Sequence, residues 1–370
     1  MTLAEPPTPS ALVDLGLLLR NADRMRAVAA GASVVLRPHV KTHKSPRIAR
    51  IQHGGRPGPI TVSTLAEAEA FAAAGFEDIT YAVPIEPGKI ARALLLCRKI
   101  RLTLDLDGPE AAGALACAAA KESLRVPVLL EVDCGDHRCG VEPESAESVE
   151  LARRVADSSG LDFRGLLTHA GHSYAATSKE SVRRIAGEER TAVVSLAERL
   201  RAGGLEVSTV SVGSTPTMTH FESLDGVTEI RPGNYVFFDA FQASHGSCAW
   251  EDCAMTVLSA VVHRSEERIV LDSGAIALSK DEGPRDLDPS CGFGRVLDLE
   301  GSDTGLRISK LTQEHGEVAL PSGFDASRFP PGARVRILPN HSCLTAAQHA
   351  EYLVLEGGEI VDRWPTIRGW

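Results

Sequence analysis

Short apolar runs typical of β-strands alternate with segments of helical periodicity over roughly the first 230 residues. The runs lie near 32–40, 59–64, 78–84, 101–107, 126–134, 161–169, 206–213 and 227–231. Between them, segments such as Leu65 to Ala74 and Glu180 to Ala202 carry apolar residues at helical spacing. Eight alternating strand and helix units in about 200 residues predict a parallel (β/α)8 barrel of the TIM type.

The pattern changes after about residue 245, where the helical periodicity fades. Short β-like runs near 256–262, 268–271, 335–338 and 352–355 are separated there by glycine- and aspartate-rich turns. Short β-like runs separated by turn residues are typical of a mostly β domain. We therefore expect a barrel over residues 12–244 and a C-terminal β domain over 245–370, on which residues 1–11 could pack.

Composition and charge narrow the classes of function. The net charge of -10 and the pI of about 5.7 argue against nucleic acid or a membrane surface as a partner. The first residues lack the basic and apolar regions of a signal peptide, and the longest uncharged stretch is too short to span a bilayer. The eight cysteines show no repeating spacing, which indicates reduced thiols. We therefore expect a cytoplasmic protein.

The segment from Arg37 to Pro46, which follows the apolar run Ala32–Leu36, is the most informative one. It places Lys41, flanked by His39 and His43, at the carboxyl end of the first predicted strand. A lysine that is partly desolvated at a barrel mouth can lose its proton and attack a carbonyl, as pyridoxal phosphate (PLP) enzymes require. A basic, solvated loop is an equally good interpretation of this segment alone.

Further candidate residues follow other predicted strands, at the same end of the barrel. Arg138 follows the fifth strand and could donate to a phenolate oxygen, while His169 and Tyr174 follow the sixth and offer flat rings for stacking. The seventh and eighth strands run into short loops of the kind whose backbone N–H groups bind phosphate. These loops contain Gly213, Ser214 and Thr215, and Arg231, Gly233, Asn234 and Tyr235. Each feature alone is typical of a turn or a structural residue, but together they predict a site for a phosphorylated cofactor.

A pair of metal-ligand types lies in the predicted β domain. His341 and Cys343, on a short β-like segment, would point to the same side and offer ligands that suit zinc. From the residues alone, a buried cysteine beside a structural histidine is the more ordinary interpretation. Cys134 and Cys139 are interpreted as structural, because their spacing makes no metal site.

The segment Arg37–Lys44 resembles the PLP-lysine motif of the D-serine dehydratase and D-threonine aldolase family, fold-type III PLP enzymes built like alanine racemase. The likeness continues in order through Thr168–Tyr174, Gly213–Thr217, Glu229–Tyr235, Gln313–Gly316, Pro339–Cys343 and Trp364–Trp370. It implies that Lys41 binds PLP covalently, that Arg138 contacts the ring hydroxyl and that Arg231 lies beside the pyridine nitrogen. The loops at 213–215 and 233–234 would hold the phosphate. Because an arginine does not give up a proton, that nitrogen would stay unprotonated.

The same resemblance implies a divalent metal on His341 and Cys343, because the family places a metal-binding His-x-Cys or His-x-Asp pair there. Zinc is the metal we expect, with manganese and magnesium as alternatives. The resemblance also implies a homodimer in which the β domain of one chain covers the barrel mouth of the other.

The expected function is that of a PLP- and metal-dependent lyase, which eliminates water and then ammonia from a D-β-hydroxy amino acid. D-serine and D-threo-3-hydroxyaspartate are the expected substrates, with Lys41 as the base for the Cα proton and the metal as a Lewis acid on the β-hydroxyl. The alternative is a D-threonine aldolase, which forms glycine and an aldehyde with His172 as the base. Cys343 favours dehydration, because the family's aldolases tend to pair the histidine with aspartate.

Two other functions are less compatible with the chain. A non-catalytic PLP-binding protein usually consists of the barrel alone, whereas this chain has a second domain with His341 and Cys343. A racemase of the alanine racemase type would use a tyrosine base from that domain, where Tyr352 is the only tyrosine after residue 245.

Overall fold

The eight predicted barrel strands all form, in one parallel sheet, in the computed structural model, which describes residues 1–370. One strand, β1 (Ser10–Asp14), precedes them. The barrel strands are β2 (Val35–Leu36), β3 (Ile60–Val62), β4 (Asp78–Pro84), β5 (Arg101–Leu106), β6 (Val126–Val132), β7 (Leu161–Thr168), β8 (Thr209–Val212) and β9 (Glu229–Ile230). Their order is β2-β9-β8-β7-β6-β5-β4-β3, and a parallel bridge between His39 and Thr61 joins the two ends. The predicted barrel is confirmed.

One helix, α1 (Leu15–Gly31), precedes the first barrel strand, and the helices after it connect successive strands of the barrel. These are α2 (Pro46–Gln52), α3 (Leu65–Ala73), α4 (Ile90–Cys97), α5 (Pro109–Lys121), α6 (Ala146–Ala156), α7 (Lys179–Ala202) and α8 (Thr215–His220). Local sequence sets where several of them begin. Thr64 and Glu67 form a capping box at the start of α3, and Ser145 and Ser178 cap α6 and α7. None of the helices has the length and apolar character of a membrane span.

A second, mostly antiparallel sheet contains β1 and nine later strands. The later strands are β10 (Met255–Arg264), β11 (Arg268–Leu271), β12 (Arg295–Leu297), β13 (Asp303–Arg307), β14 (Lys310–Leu311), β15 (Gly316–Ala319), β16 (Arg334–Leu338), β17 (Glu351–Glu356) and β18 (Glu359–Pro365). The main order is β13-β12-β16-β10-β1-β17-β18, and β11, β15 and β14 extend from β10. Three short helices accompany the sheet, α9 (Ala240–Ser244), α10 (Ala275–Leu278) and α11 (Ser342–Ala346). The predicted β domain is therefore present.

Strand β1 lies inside this second sheet. It pairs antiparallel with β10 and parallel with β17, so Leu12 is opposite both Thr256 and Leu353. Leu12 and Val13 are fully buried. The core beside the sheet is built from aliphatic side chains of β10, β11, β15 and β16, such as Val257, Ile269 and Ile337.

The chain divides into two compact units. The β unit consists of residues 1–22, 42–47 and 234–366, and the barrel unit consists of residues 23–41, 48–233 and 367–370. The N-terminal residues therefore belong to the unit that holds the second sheet. The domain boundary at residue 244, expected from the pattern alone, stays a prediction.

Candidate active site

A cavity of about 400 Å³ lies at the carboxyl ends of the barrel strands. It is lined by five of the residues singled out in the sequence, namely Lys41, Arg138, His169, Gly213 and Arg231. His39, Ser63, Glu131 and Cys139 also line it. A larger surface cavity of about 900 Å³ runs along α6, but it contains none of the candidate residues. The smaller cavity is therefore the candidate active site of the barrel unit.

Lys41 lies in a one-turn 3-10 helix, Val40–Thr42, that begins just after the strand end. Its backbone N–H donates to Nδ1 of His39 at 3.5 Å, and Nε2 of His39 lies 3.4 Å from the hydroxyl oxygen of Ser63. The half-buried lysine is thus on a turn whose preceding histidine is held at both ring nitrogens. A lysine fixed in a cavity of this size fits covalent attachment of PLP.

Arg231 lines the cavity and is 4% exposed. Its guanidinium donates to the hydroxyl of Ser211 and to the carbonyl oxygen of Thr168, both at 2.5 Å. Burial lowers the pKa of Arg231, while the surrounding carboxylates, chiefly Glu229 and Glu189, oppose that change. These bonds hold the guanidinium in one orientation. It therefore fits a position beside a cofactor ring nitrogen, as the resemblance implies.

Two buried carboxyl groups on neighbouring strands were not identified from the sequence. Glu131 on β6 lines the cavity, and its carboxylate lies 3.5 Å from the guanidinium of Arg138. Asp105 on β5 is fully buried and lies beside Glu131. Burial, followed by the nearby Glu131, raises the pKa of Asp105 well above its usual range. Burial and the neighbouring carboxylate therefore both favour the protonated form of Asp105.

His169, directly after β7, lines the same cavity. Burial, and then the positive charges of Lys41, Arg138 and Arg231, lower the pKa of this histidine well below its usual value. The ring is therefore neutral at neutral pH. A neutral, flat ring in this position fits stacking against an aromatic cofactor.

The loop after β8 is tied to the loop after β7 by Glu189 of α7. The backbone N–H groups of Ala170 and Gly213 both donate to Oε1 of Glu189, each at 3.0 Å. Burial raises the pKa of this carboxyl group. Gly213 has φ +121, and a Cβ there would lie 3.0 Å from Cγ of Met218. Glycine is thus required for this approach of the loop.

Ser214 and Thr215, predicted to bind phosphate, are buried and do not line the cavity. The hydroxyl of Ser214 accepts from the backbone N–H of Thr217 at 3.2 Å and so caps α8. It also lies 2.9 Å from the hydroxyl oxygen of Ser173. These contacts make the loop rigid, which suits a backbone-lined anion site.

His172 and Tyr174 lie on the one-turn 3-10 helix Gly171–Ala175 and do not line the cavity. Nδ1 of His172 is buried and without a hydrogen-bond partner, and it lies 3.9 Å from a carboxylate oxygen of Asp136. The structure therefore keeps the predicted aldolase base separate from the lining of the lysine cavity.

His341 and Cys343 lie side by side in the β unit, but not on a β-segment as expected. Strand β16 ends at Leu338, His341 is the extended residue before α11, and Cys343 lies in its first turn. The helix begins there because the carboxylate of Asp239 accepts the backbone N–H of Ser342 at 2.8 Å. The prediction that His341 and Cys343 share a β-like segment was wrong, because the carboxylate that starts the helix is distant in sequence.

The electrostatics of this pair favour a thiolate beside an imidazolium, whose proton a metal ion would replace. Burial alone would raise the pKa of Cys343, but the neighbouring His341 and the hydroxyl of Thr42 outweigh it and lower that pKa. The Sγ atom lies 3.2 Å from Oγ1 of Thr42 and accepts from Nδ2 of Asn234 at 3.7 Å. For His341, Cys343 and Asp281 outweigh burial and raise the pKa well above its usual value. A nitrogen and a sulfur donor in contact fit a zinc-type ion.

No group of three or more histidine, cysteine or acidic side chains in the structure is arranged as a metal site. A metal ion held by a pair of protein ligands would keep coordination positions for water and substrate. Burial raises the pKa of Cys134 and of Cys139 to about 12, so neither is a thiolate ligand at neutral pH.

The remaining predicted residues follow the barrel's last strand. Neither Gly233 nor Asn234 nor Tyr235 lines the lysine cavity. The amide of Asn234 donates to Asp239 at 2.6 Å and to Ser342 at 3.0 Å, and Tyr235 is fully buried. Asn234 therefore supports the turn of His341 and Cys343, a role that its local sequence pattern does not indicate.

Two protein families match the chain. Residues 13–240 match the family "Alanine racemase, N-terminal domain", and residues 254–355 match "Putative serine dehydratase domain".

Curated relatives match over nearly the whole length. D-threo-3-hydroxyaspartate dehydratase of Delftia sp. (strain HT23) is 41% identical, with 100% of this chain and 99% of that protein covered. D-serine dehydratase of Dictyostelium discoideum is 34% identical over 98% of this chain and 97% of that protein. D-threonine aldolase of Arthrobacter sp. is 29% identical, with 100% of this chain and 94% of that protein covered.

Solved structures agree with these relatives. The structure of the Delftia sp. HT23 dehydratase superimposes with a TM-score of 0.96 at 41% identity and covers 100% of both chains. Two mutant structures of D-threo-3-hydroxyaspartate dehydratase replace a histidine or a cysteine by alanine, two positions apart, and the cysteine mutant is in the metal-free form. The chain therefore belongs to the family of D-serine dehydratases and D-threonine aldolases, PLP enzymes of fold type III.

Proposed function

We propose that this protein is a PLP- and divalent-metal-dependent lyase that eliminates water from a D-β-hydroxy amino acid, after which hydrolysis of the enamine product releases ammonia and a keto acid. D-threo-3-hydroxyaspartate and D-serine are the substrates we propose. The observation that carries the proposal is the contact of Cys343 with His341, in which the thiol has a lowered pKa. The metal-free cysteine mutant of the hydroxyaspartate dehydratase supports a metal on the corresponding pair.

The barrel unit would supply the cofactor site. PLP, when bound, withdraws electrons from Cα of an attached amino acid and so makes the Cα proton acidic. In this proposal the amine of Lys41 removes that proton. Arg231, held by Ser211 and Thr168, would keep the ring nitrogen unprotonated, and neutral His169 would pack against the ring.

The β unit would supply the metal site. A divalent metal, when bound, is a Lewis acid that makes a β-hydroxyl a better leaving group. Thiolate Cys343 and His341 would hold it through one sulfur and one nitrogen atom. Zinc is the metal we propose, because it accepts this mixed donor pair more readily than magnesium does.

Retro-aldol cleavage is the second candidate, because the curated relatives also include a D-threonine aldolase and two 3-hydroxy-D-aspartate aldolases. That reaction requires a base for the β-hydroxyl proton, for which His172 beside Asp136 is the candidate. A racemase-type tyrosine base has less support. The hydroxyl of Tyr352 donates to the carbonyl oxygen of His43 at 2.7 Å, and burial raises the pKa of this fully buried phenol well above its usual value.

Product analysis separates the candidates. Purified protein loaded with PLP and Zn²⁺ would be incubated with D-serine, D-threonine, D-threo-3-hydroxyaspartate and their L-enantiomers. Dehydration is expected to yield ammonia and a keto acid from the D-enantiomers alone. Glycine and acetaldehyde as the main products from D-threonine would transfer the assignment to the aldolase. In that case His172→Ala should reduce the cleavage strongly, whereas a dehydratase should tolerate it.

We further propose a cytoplasmic homodimer with a domain boundary near residue 244. All eight cysteines are free, which is compatible with a reducing compartment. The two family matches end and begin on either side of that boundary, at 240 and 254. Light scattering at decreasing concentration, with activity measured in parallel, tests the dimer, and a fully active monomer would exclude it.

A further inference from the structure

His341 is held at one ring nitrogen by a carboxylate that no sequence motif indicated. Oδ2 of Asp281 lies 3.0 Å from Nδ1 of His341. Both side chains are mostly buried, with 24% and 22% of their surfaces exposed. A histidine that bonds a carboxylate through Nδ1 presents its second nitrogen, Nε2, to a different partner, and the thiol of Cys343 lies beside this ring.

Asp281 is itself held in place from two directions. Its second oxygen, Oδ1, accepts from the backbone N–H of Gly283 at 2.6 Å. Its backbone carbonyl accepts from the amide of Asn340, the residue that precedes His341, at 3.3 Å. The amide of Asn340 also donates to the carbonyl of Gly292 at 2.8 Å. The loop that carries Asp281 is therefore fastened to the segment that carries His341.

The close approach of these two segments depends on Gly283. Its backbone has φ +58, and a Cβ at this position would lie 2.5 Å from Cβ of Asn340. A side chain could not be accommodated without moving Asn340. The sequence thus keeps the loop close enough for the Asp281 carboxylate to reach the imidazole.

We infer that Asp281 is a positioning residue for the metal, which fixes the tautomer and the ring orientation of His341 so that Nε2 is presented to the ion. The inference rests on the proposed metal site at His341 and Cys343. Carboxylate partners of metal-binding histidines commonly change metal affinity by about 10–100-fold when removed. Asp281 would act through His341 and would not contact the ion.

The test measures metal binding, not turnover. PLP-loaded protein stripped of metal would be titrated with Co²⁺, whose absorption reports both the affinity and the thiolate ligand, and with Zn²⁺ in competition. The variants would be Asp281→Ala, Asp281→Asn and His341→Ala. Asp286→Asn removes an exposed carboxylate from the same loop and serves as the matched control.

Asp281→Ala is expected to weaken Co²⁺ and Zn²⁺ binding about 10–100-fold. Asp281→Asn, whose amide oxygen can still accept from Nδ1–H, should recover most of that loss, and Asp286→Asn should bind as the unmodified protein does. The visible absorption of lysine-bound PLP should be the same in all variants, which separates this role from a general loss of structure.

The outcomes distinguish this inference from the proposed function. Unchanged metal affinity in Asp281→Ala, with a loss in His341→Ala, would overturn the role of Asp281 alone. Unchanged affinity in both variants would overturn the metal site and the inference with it. A loss in Asp281→Asn as large as that in Asp281→Ala would also overturn it, because the hydrogen bond would then not be the cause.

Discussion

Replacing Glu189 by alanine would remove the only acceptor described for two buried N–H groups, those of Ala170 and Gly213. Leaving one buried donor unsatisfied costs about 1–3 kcal/mol, so two cost about 2–6 kcal/mol of unfolding free energy. Glu189→Gln should reduce the unfolding free energy far less than Glu189→Ala does. Both N–H groups bond Oε1, and glutamine retains an acceptor oxygen at that position.

The neighbouring Glu188 provides a matched control on the same helix. It is exposed and pairs only with Arg184, four residues earlier. Such a surface pair contributes about 0.3–0.5 kcal/mol, so Glu188→Ala should be nearly neutral. Urea unfolding followed by circular dichroism, which reports the helices of the barrel unit, measures all three variants. The dissociation constant of PLP, measured by its visible band, should rise in Glu189→Ala because the loop at Gly213 is released.

Two unsatisfied N–H groups cannot cost as little as about 0.5 kcal/mol. Unfolding free energies of Glu189→Ala and Glu188→Ala that agree within that amount would therefore show that Glu189 does not hold these groups. A second contrary result would be a Glu189→Gln variant as unstable as Glu189→Ala. In that case the charge of the carboxylate, and not its acceptor oxygen, would hold the two loops together.

Three further predictions concern the candidate site. Lys41→Ala should lose turnover and the visible band of lysine-bound PLP, and a protein that never acquires such a band with PLP would contradict the assignment of the cofactor. Chelation or His341→Ala should abolish turnover while leaving that band intact, and retained turnover would argue against the metal site. Because the folded protein keeps a proton on Asp105 that the unfolded chain releases, unfolding free energy should fall as pH rises from the usual pKa of aspartate, 3.8, through the raised folded value. Asp105→Asn should remove this fall. If urea unfolding shows the same change of unfolding free energy with pH in the variant and in the unmodified protein, Asp105 is not the cause.

The barrel was predictable because its evidence is local. Each strand is a short apolar run next to a helical segment, and even the two-residue strands β2 and β9 fall inside predicted runs. Strand ends share one edge of the barrel, so the sequence also predicted that Lys41, Arg138, His169, Gly213 and Arg231 approach one another.

The supporting carboxylates were not predictable in the same way. Asp281 and Asp105 lie beside residues that are distant in sequence, His341 and Glu131. Nothing in the local sequence pattern indicates these contacts. The burial of Glu189 could have been predicted, because this residue lies on an apolar face of α7 with Ile185, Ala186 and Val193. A charged residue on such a face is buried only when partners satisfy it.

The position of β1 has a consequence for the order in which the protein folds during synthesis. About 240 residues separate Asp14 from Met255, its first neighbour in the sheet, and β17 is made later still. A ribosome would therefore release all strands of the barrel before β1 could find either partner. The barrel can fold while the chain is growing, but the β unit cannot close until synthesis is nearly complete. In refolding experiments, the amides of Leu12 and Val13 should gain protection from hydrogen exchange after those of β6 and β7, and simultaneous protection would contradict this order.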